Sequence, residues 1–269
     1  MGISCPDRVR SVLEMSEAIK RVRILGIPVD HVDMGNALDF VDKAIRDDKR
    51  RQYVFAVNPE KVCVLKRDNT LRKLFEDAAL LLPDGIGVVL AMRWLHGLSA
   101  RRVPGSELMP NICKLSAEKG YRVFVYGSKE HVNKGAIEKL NQLYPGIHIV
   151  GRCNGYIGND RMTELVQEIN RSRTNILFIA LGSPKQEMWI QEYLPALNVN
   201  VCQGIGGTLD TITGDMKRAP ELFLKTGLEW LYRLIADPRR IRRQITLPVF
   251  AMQVALEKFR VSWKIAGRN

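Results

Sequence analysis

The sequence predicts an α/β fold in which a mainly parallel sheet is covered by helices on both faces. Three observations lead there. Short β-branched or aromatic runs alternate with longer segments of helical period. Five of those runs end in small, Asn, Asp or Pro residues, the turn chemistry expected where a strand gives way to a helix. Finally, 46% of the 269 residues are apolar, enough for one large core or a core with an appendage.

Taken in order, strands are expected at 23–27, 53–57, 79–82, 122–126, 148–151, 176–181 and 199–203. Amphipathic segments at 34–48, 59–66, 71–77, 87–95, 107–119, 131–143, 162–171 and 185–193 fill the intervals. Such a βαβα order calls for parallel pairing with helical crossovers. After Pro220 the pattern turns to helices alone, at 221–236 and 247–265, joined by an Arg-rich stretch. The chain thus divides into an α/β domain over 1–219 and a basic helical appendage over 220–269.

Composition removes several classes. Disorder needs lower hydrophobicity, and collagen-like or mucin-like chains need far more than 21 Gly and 12 Pro. The five cysteines (Cys5, Cys63, Cys113, Cys153, Cys202) are odd in number and scattered, which argues against a disulfide framework or a structural zinc site. The first residues hold no apolar core of a signal peptide, and Pro6 weakens a myristoylation signal. No run is long enough to span a bilayer, since the best candidate, 78–95, is broken by Pro83, Asp84 and Arg93. A cytoplasmic protein is expected.

Charge is unevenly placed. The net charge is +12, and residues 217–269 carry 12 basic against 4 acidic side chains. A basic appendage suits an anionic membrane surface, a phosphate-bearing ligand or nucleic acid, and a solvated tail is the plain alternative.

In parallel sheets, ligands collect beyond the carboxyl ends of the strands. Asp84, between Pro83 and Gly85 after a wholly apolar strand, would sit at the sheet's mouth, where a carboxylate can serve as a general base or simply cap the next helix. Asn58 ends the strand before it. The loop of Gly204, Ile205, Gly206, Gly207 and Thr208, with Asp210 beyond, could bring backbone close to a phosphate or form a tight packed turn. Gly127-Ser128 and Gly182-Ser183-Pro184 end two further strands, the second leading into Lys185 and Gln186. Lys185 offers a point charge and Gln186 an amide able to orient a hydroxyl. Arg101, Arg102 and Gly105 add donors at the same edge, and Arg233, Arg239, Arg240, Arg242 and Arg243 supply guanidinium forks suited to phosphate. The four histidines lie apart and no Asp-x-Asp pair is present, so no metal site is expected.

The segments NPEKV (58–62), PDGIGVV (83–89), RVPGSELM (102–109), VYGS (125–128), LGSPKQEMW (181–189), GIGGTLDTITGDMKRAP (204–220) and LEWLYRL followed by DPRR (228–240) together resemble the WecG/TagA/CpsF glycosyltransferases. The match runs in order from about Val22 to Gln244. The resemblance implies a Rossmann-like fold and an inverting, cofactor-free and metal-independent transfer. A sugar, typically N-acetylmannosamine or its uronic acid, would pass from a UDP donor to a sugar on a polyprenyl diphosphate. It implies action at the inner face of the cell membrane in cell-surface polysaccharide or teichoic acid synthesis, and assembly into homo-oligomers.

Carried over by motif, Asp84 is implied as the general base, with Gln186 and Asn58 beside it. Substrate contacts are implied for Arg102, Gly105, Gly127, Ser128, Gly182, Lys185, Gly204, Gly206, Gly207, Asp210 and Arg218, and, from the appendage, for Arg233, Arg240 and Arg243. The chain departs from the family pattern at Ala56, where members often carry Thr, and at Leu209 and Thr213, where Phe and Ala are frequent. Relatives moving glucosyl, galactosyl or glucuronosyl groups leave the donor sugar open. Two other classes fare worse. A nicotinamide-dependent oxidoreductase would need a GxGxxG followed by an acidic residue, and a nucleic-acid module would need an aromatic platform or a reader fold.

Overall fold

The computed structural model describes residues 19–216, 220, 223, 229–236 and 245–266. The chain opens with β1 (Lys20–Ile24) and β2 (Ile27–His31), followed by α1 (Met34–Arg46), β3 (Gln52–Val57), α2 (Pro59–Leu65), α3 (Asn69–Glu76) and β4 (Leu80–Pro83). It continues through α4 (Ile86–His96), α5 (Gly105–Lys119), β5 (Arg122–Gly127), α6 (Glu130–Leu143), β6 (His148–Cys153) and α7 (Met162–Arg171). Then come β7 (Ile176–Ala180), α8 (Lys185–Tyr193), β8 (Val201–Gly204), α9 (Thr208–Thr213), α10 (Glu229–Ala236) and α11 (Thr246–Ala266).

Six strands form one sheet in the order β4-β3-β8-β7-β5-β6, every pair parallel. Successive side chains on its strands point into two separate cores. Phe55, Leu81, Phe124, Tyr126, Leu177, Ile179 and Cys202 pack against α2, α3, α4, α7 and α8. Val54, Leu80, Leu82, Val123, Val125, Ile176, Phe178 and Val201 pack against α1, α5 and α6. Burial on both faces explains why these strands read as short, almost wholly apolar runs. Each fully buried Leu, Ile or Phe contributes about 1.5–3 kcal/mol. The α/β architecture with helices on both faces is therefore as the sequence predicts.

The start of the fold differs from expectation. In place of one strand over 23–27, the chain turns at Leu25 and Gly26, which have φ of 53° and 81°, and pairs β1 with β2 as an antiparallel hairpin apart from the main sheet. A Leu-Gly turn lacks the Asn-Gly or Asp-Gly signature of such hairpins, so the continuous apolar run hid the reversal. Arg21 secures the hairpin by donating to both carboxylate oxygens of buried Asp30, at 2.7 and 2.9 Å, while Asp30 accepts from the backbone N–H of Leu81.

Past residue 220, α11 lies across α2 and α4, burying Phe250 and Val254 in the first core. Lys66 Nζ donates to Gln253 Oε1 at 2.7 Å, and the Leu25 N–H to Glu257 Oε2 at 3.0 Å. None of the described helices is long and apolar enough to cross a membrane.

Candidate active site

Beyond the carboxyl ends of β4, β3, β8 and β7 lies a cavity of about 1180 Å³. Its walls hold Asn58, Asp84, Arg102, Gly105, Gly182, Gln186, Gly204, Gly206 and Gly207, so nine of the sequence-derived candidates come together there. β3 and β8 are neighbours in space though far apart in sequence, a reversal of strand order that opens a crevice at the sheet edge.

Asp84 is half-buried and follows β4 directly, its N–H donating to the Val57 carbonyl at 2.9 Å. The Val103 N–H donates to the Pro83 carbonyl at 2.8 Å, which draws the segment bearing Arg102 alongside. Arg102, with a side chain 17% exposed, approaches Glu107 at 3.6 Å. Asn58 caps α2, its Oδ1 accepting from the Lys61 N–H at 2.8 Å. That cap is worth about 1 kcal/mol, and it commits one end of the Asn58 amide to the scaffold.

The glycine loop after β8 is held at three points. The Ile205 N–H donates to the Ile179 carbonyl, the Thr208 hydroxyl and N–H both reach the Ile205 carbonyl, and the Gly206 N–H donates to Gln186 Oε1 at 3.0 Å. A Cβ at residue 204 would stand 2.5 Å from Gln186 Nε2, so the amide passes close beneath the loop and would have to shift to admit a side chain there. Gln186 is thus buried and engaged by the loop rather than presented freely to the cavity.

Four candidates stand apart from the cavity walls. Lys185 is exposed at the start of α8. Gly127 (φ 120°) presses against β7, where a Cβ would meet the Ala180 backbone at 2.5 Å. Ser128 donates its N–H to the Ala180 carbonyl at 2.8 Å, and its hydroxyl to Asp210 Oδ2 at 3.4 Å. These residues brace β5, β7 and α9 against one another. Arg218, Arg239, Arg240, Arg242 and Arg243 lie outside the described residues, as does the side chain of Arg233 on α10. Among the described residues, no three His, Cys, Asp or Glu side chains gather as a metal site would require.

The sequence reading missed a buried ion pair in the cavity wall. Lys61 Nζ stands 2.8 Å from Glu187 Oε1 and donates to the Ser183 hydroxyl. Both charged side chains are nearly inaccessible, and Glu187 Oε2 is buried without a hydrogen-bond partner. Removing either charge would strand the other at a cost of about 3–5 kcal/mol. The pair joins the first turns of α2 and α8, which share one face of the sheet. Opposite charges three residues after Asn58 and three after Pro184 were the available signal. Helices beyond residue 220 also line the cavity, through Trp230, Thr246, Leu247, Phe250, Ala251 and Val254.

The chain is similar to known proteins over most of its length. A model of the glycosyl transferase WecG/TagA/CpsF family matches residues 22–264. An N-acetylglucosaminyldiphosphoundecaprenol N-acetyl-beta-D-mannosaminyltransferase of Bacillus subtilis (strain 168) is 33% identical over 235 residues, covering 87% of this chain and 91% of the relative. A protein of the same name from Staphylococcus aureus (strain MRSA252) is 31% identical over 252 residues, covering 93% and 98%.

Proposed function

The chain belongs to the glycosyl transferase WecG/TagA/CpsF family and is a glycosyltransferase, and from that premise we propose that it moves N-acetylmannosamine from a UDP donor to N-acetylglucosamine carried on a polyprenyl diphosphate. The observation that supports this most is the half-buried Asp84 in the wall of a cavity shared with Arg102 and the glycine loop. In this reading Asp84 takes the proton from the acceptor hydroxyl as that oxygen bonds to the anomeric carbon. The bond from that carbon to the UDP oxygen breaks on the opposite face, and configuration inverts. The departing diphosphate would be met by Arg102 and backbone N–H groups of the glycine loop, with the arginines beyond residue 217 as further donors and no metal ion required. Asn58 and Gln186 would keep the strand ends in place around the sugars.

The exposed side chains of Met252, Leu256 and Phe259 follow one another at helical spacing on α11. They support a proposed role for the 220–269 appendage in seating the enzyme on the inner face of an anionic membrane, near its lipid-linked acceptor. The test is a transfer assay read by mass spectrometry, with EDTA present, a panel of UDP-sugars, and prenyl-diphosphate-linked N-acetylglucosamine as acceptor. Addition of one N-acetylhexosamine from UDP-N-acetylmannosamine is expected. Transfer of another sugar in its place, or a strict requirement for added divalent metal, would overturn the corresponding part of the proposal.

A further inference from the structure

The cavity changes character along its length. Its polar end holds Asp84, Asn58 and the glycine loop, whereas Ile86, Leu90 and Trp94 of α4 lead away from it at a spacing of four residues. These three side chains are 38%, 55% and 47% exposed although they lie in the cavity wall. Leu247, Ala251 and Val254 of α11, which packs against α4, line the same cavity. Eight residues of helix cover about 12 Å, so an apolar trough of that length begins two residues after Asp84. Large apolar side chains left uncovered in a row beside a polar pocket mark a ligand-binding surface rather than scattered surface residues.

We propose that the trough between α4 and α11 binds the prenyl chain of the acceptor, with the diphosphate and sugar held at the Asp84 end. The inference rests on the acceptor class proposed above, and the occupant is chosen by continuity. A ligand whose polar head lies at Asp84 and whose tail is a branched hydrocarbon meets polar and apolar walls in the order in which they occur. Arg93, in the same wall, stands beside Trp94, where a guanidinium can accompany a chain toward anionic lipid headgroups.

The experiment compares two acceptors in detergent micelles that carry the same diphosphate-linked sugar, one with a long prenyl chain and one with a single isoprene unit. Wild-type enzyme is expected to favour the long chain in kcat/KM by about tenfold or more, the worth of covering one or two such side chains. The double variant Leu90→Ser, Trp94→Ser should lose that preference. Both positions are exposed, so folding should survive, as circular dichroism would verify. A photoreactive prenyl diphosphate should label 86–94 in the wild type whether or not a sugar is transferred, which separates this inference from the activity on which it builds. Equal loss on both acceptors with preference retained, or labelling confined to other segments, would overturn the proposal. So would loss of vesicle binding with chain preference intact, which would make α4 a membrane contact, or a shift in oligomeric state without labelling, which would make it a subunit contact.

Discussion

The two halves of the sheet's carboxyl edge carry the same kind of sequence and use it differently. After β3, β4 and β8, Asn58, Asp84 and the glycine loop open onto a cavity. After β5, Gly127 and Ser128 close against Ala180 and Asp210, outside the lining of that cavity. Small residues after a strand therefore mark a place where backbone comes close to something, and the strand order decides whether that something is a substrate or the next strand. On the cavity side the reversal between β3 and β8 spreads the connections apart. On the other side β5 and β7 run in register to their ends, with Gly127 opposite Ala180.

The sharpest way to break this contrast is Asp84→Asn, which should lower kcat by about 10²–10⁴-fold, the usual worth of a general base. Binding of UDP-sugar, measured by calorimetry, should stay near the wild-type value. Next comes Gly127→Ala. Its methyl would meet backbone at 2.5 Å, and the residue would keep a strained positive φ, so a loss of about 2 kcal/mol in chemical denaturation is expected, with little change in the donor KM. Gly204→Ala should do the reverse. Its methyl would push the Gln186 amide aside and release Gly206, raising the donor KM about tenfold for a stability loss of about 1 kcal/mol, one hydrogen bond. If both alanines acted alike, the division of the edge would fail.

The smallest expected effect lies far from both halves. Arg23 donates to both carboxylate oxygens of Glu76, tying the first hairpin to α3. Those hydrogen bonds hold the Glu76 carboxyl below its ordinary range. A carboxyl depressed in the folded state contributes stability above its unfolded pKa of about 4.3 and loses it as pH falls through the folded value. Glu76→Gln should therefore lower stability at neutral pH by no more than about 1 kcal/mol, as befits an exposed pair. The difference from wild type should shrink in acid denaturation as pH falls below about 4.3 and vanish once the folded carboxyl is protonated.

Much of this was legible in the sequence because the signals were local. Alternating strands and helices, and Asp84 between Pro83 and Gly85, follow from neighbours along the chain, and so does the cap by Asn58 on Lys61. The Lys61–Glu187 pair was hidden because its partners are 126 residues apart and meet only through the strand order. The separation of Gly127, Ser128 and Asp210 from the cavity was hidden for the same reason. The trough on α4 was hidden because Ile86, Leu90 and Trp94 carry the spacing of a buried helix face and only the packed structure leaves them uncovered.

Hydrogen–deuterium exchange with and without UDP tests the central claim most directly, because it compares the two halves in one experiment. Slower exchange is predicted at 204–208 and around 58–61, with no change at 127–130. Protection at 127–130, with the glycine loop unaffected, would place the nucleotide at the closed half of the edge and contradict the account.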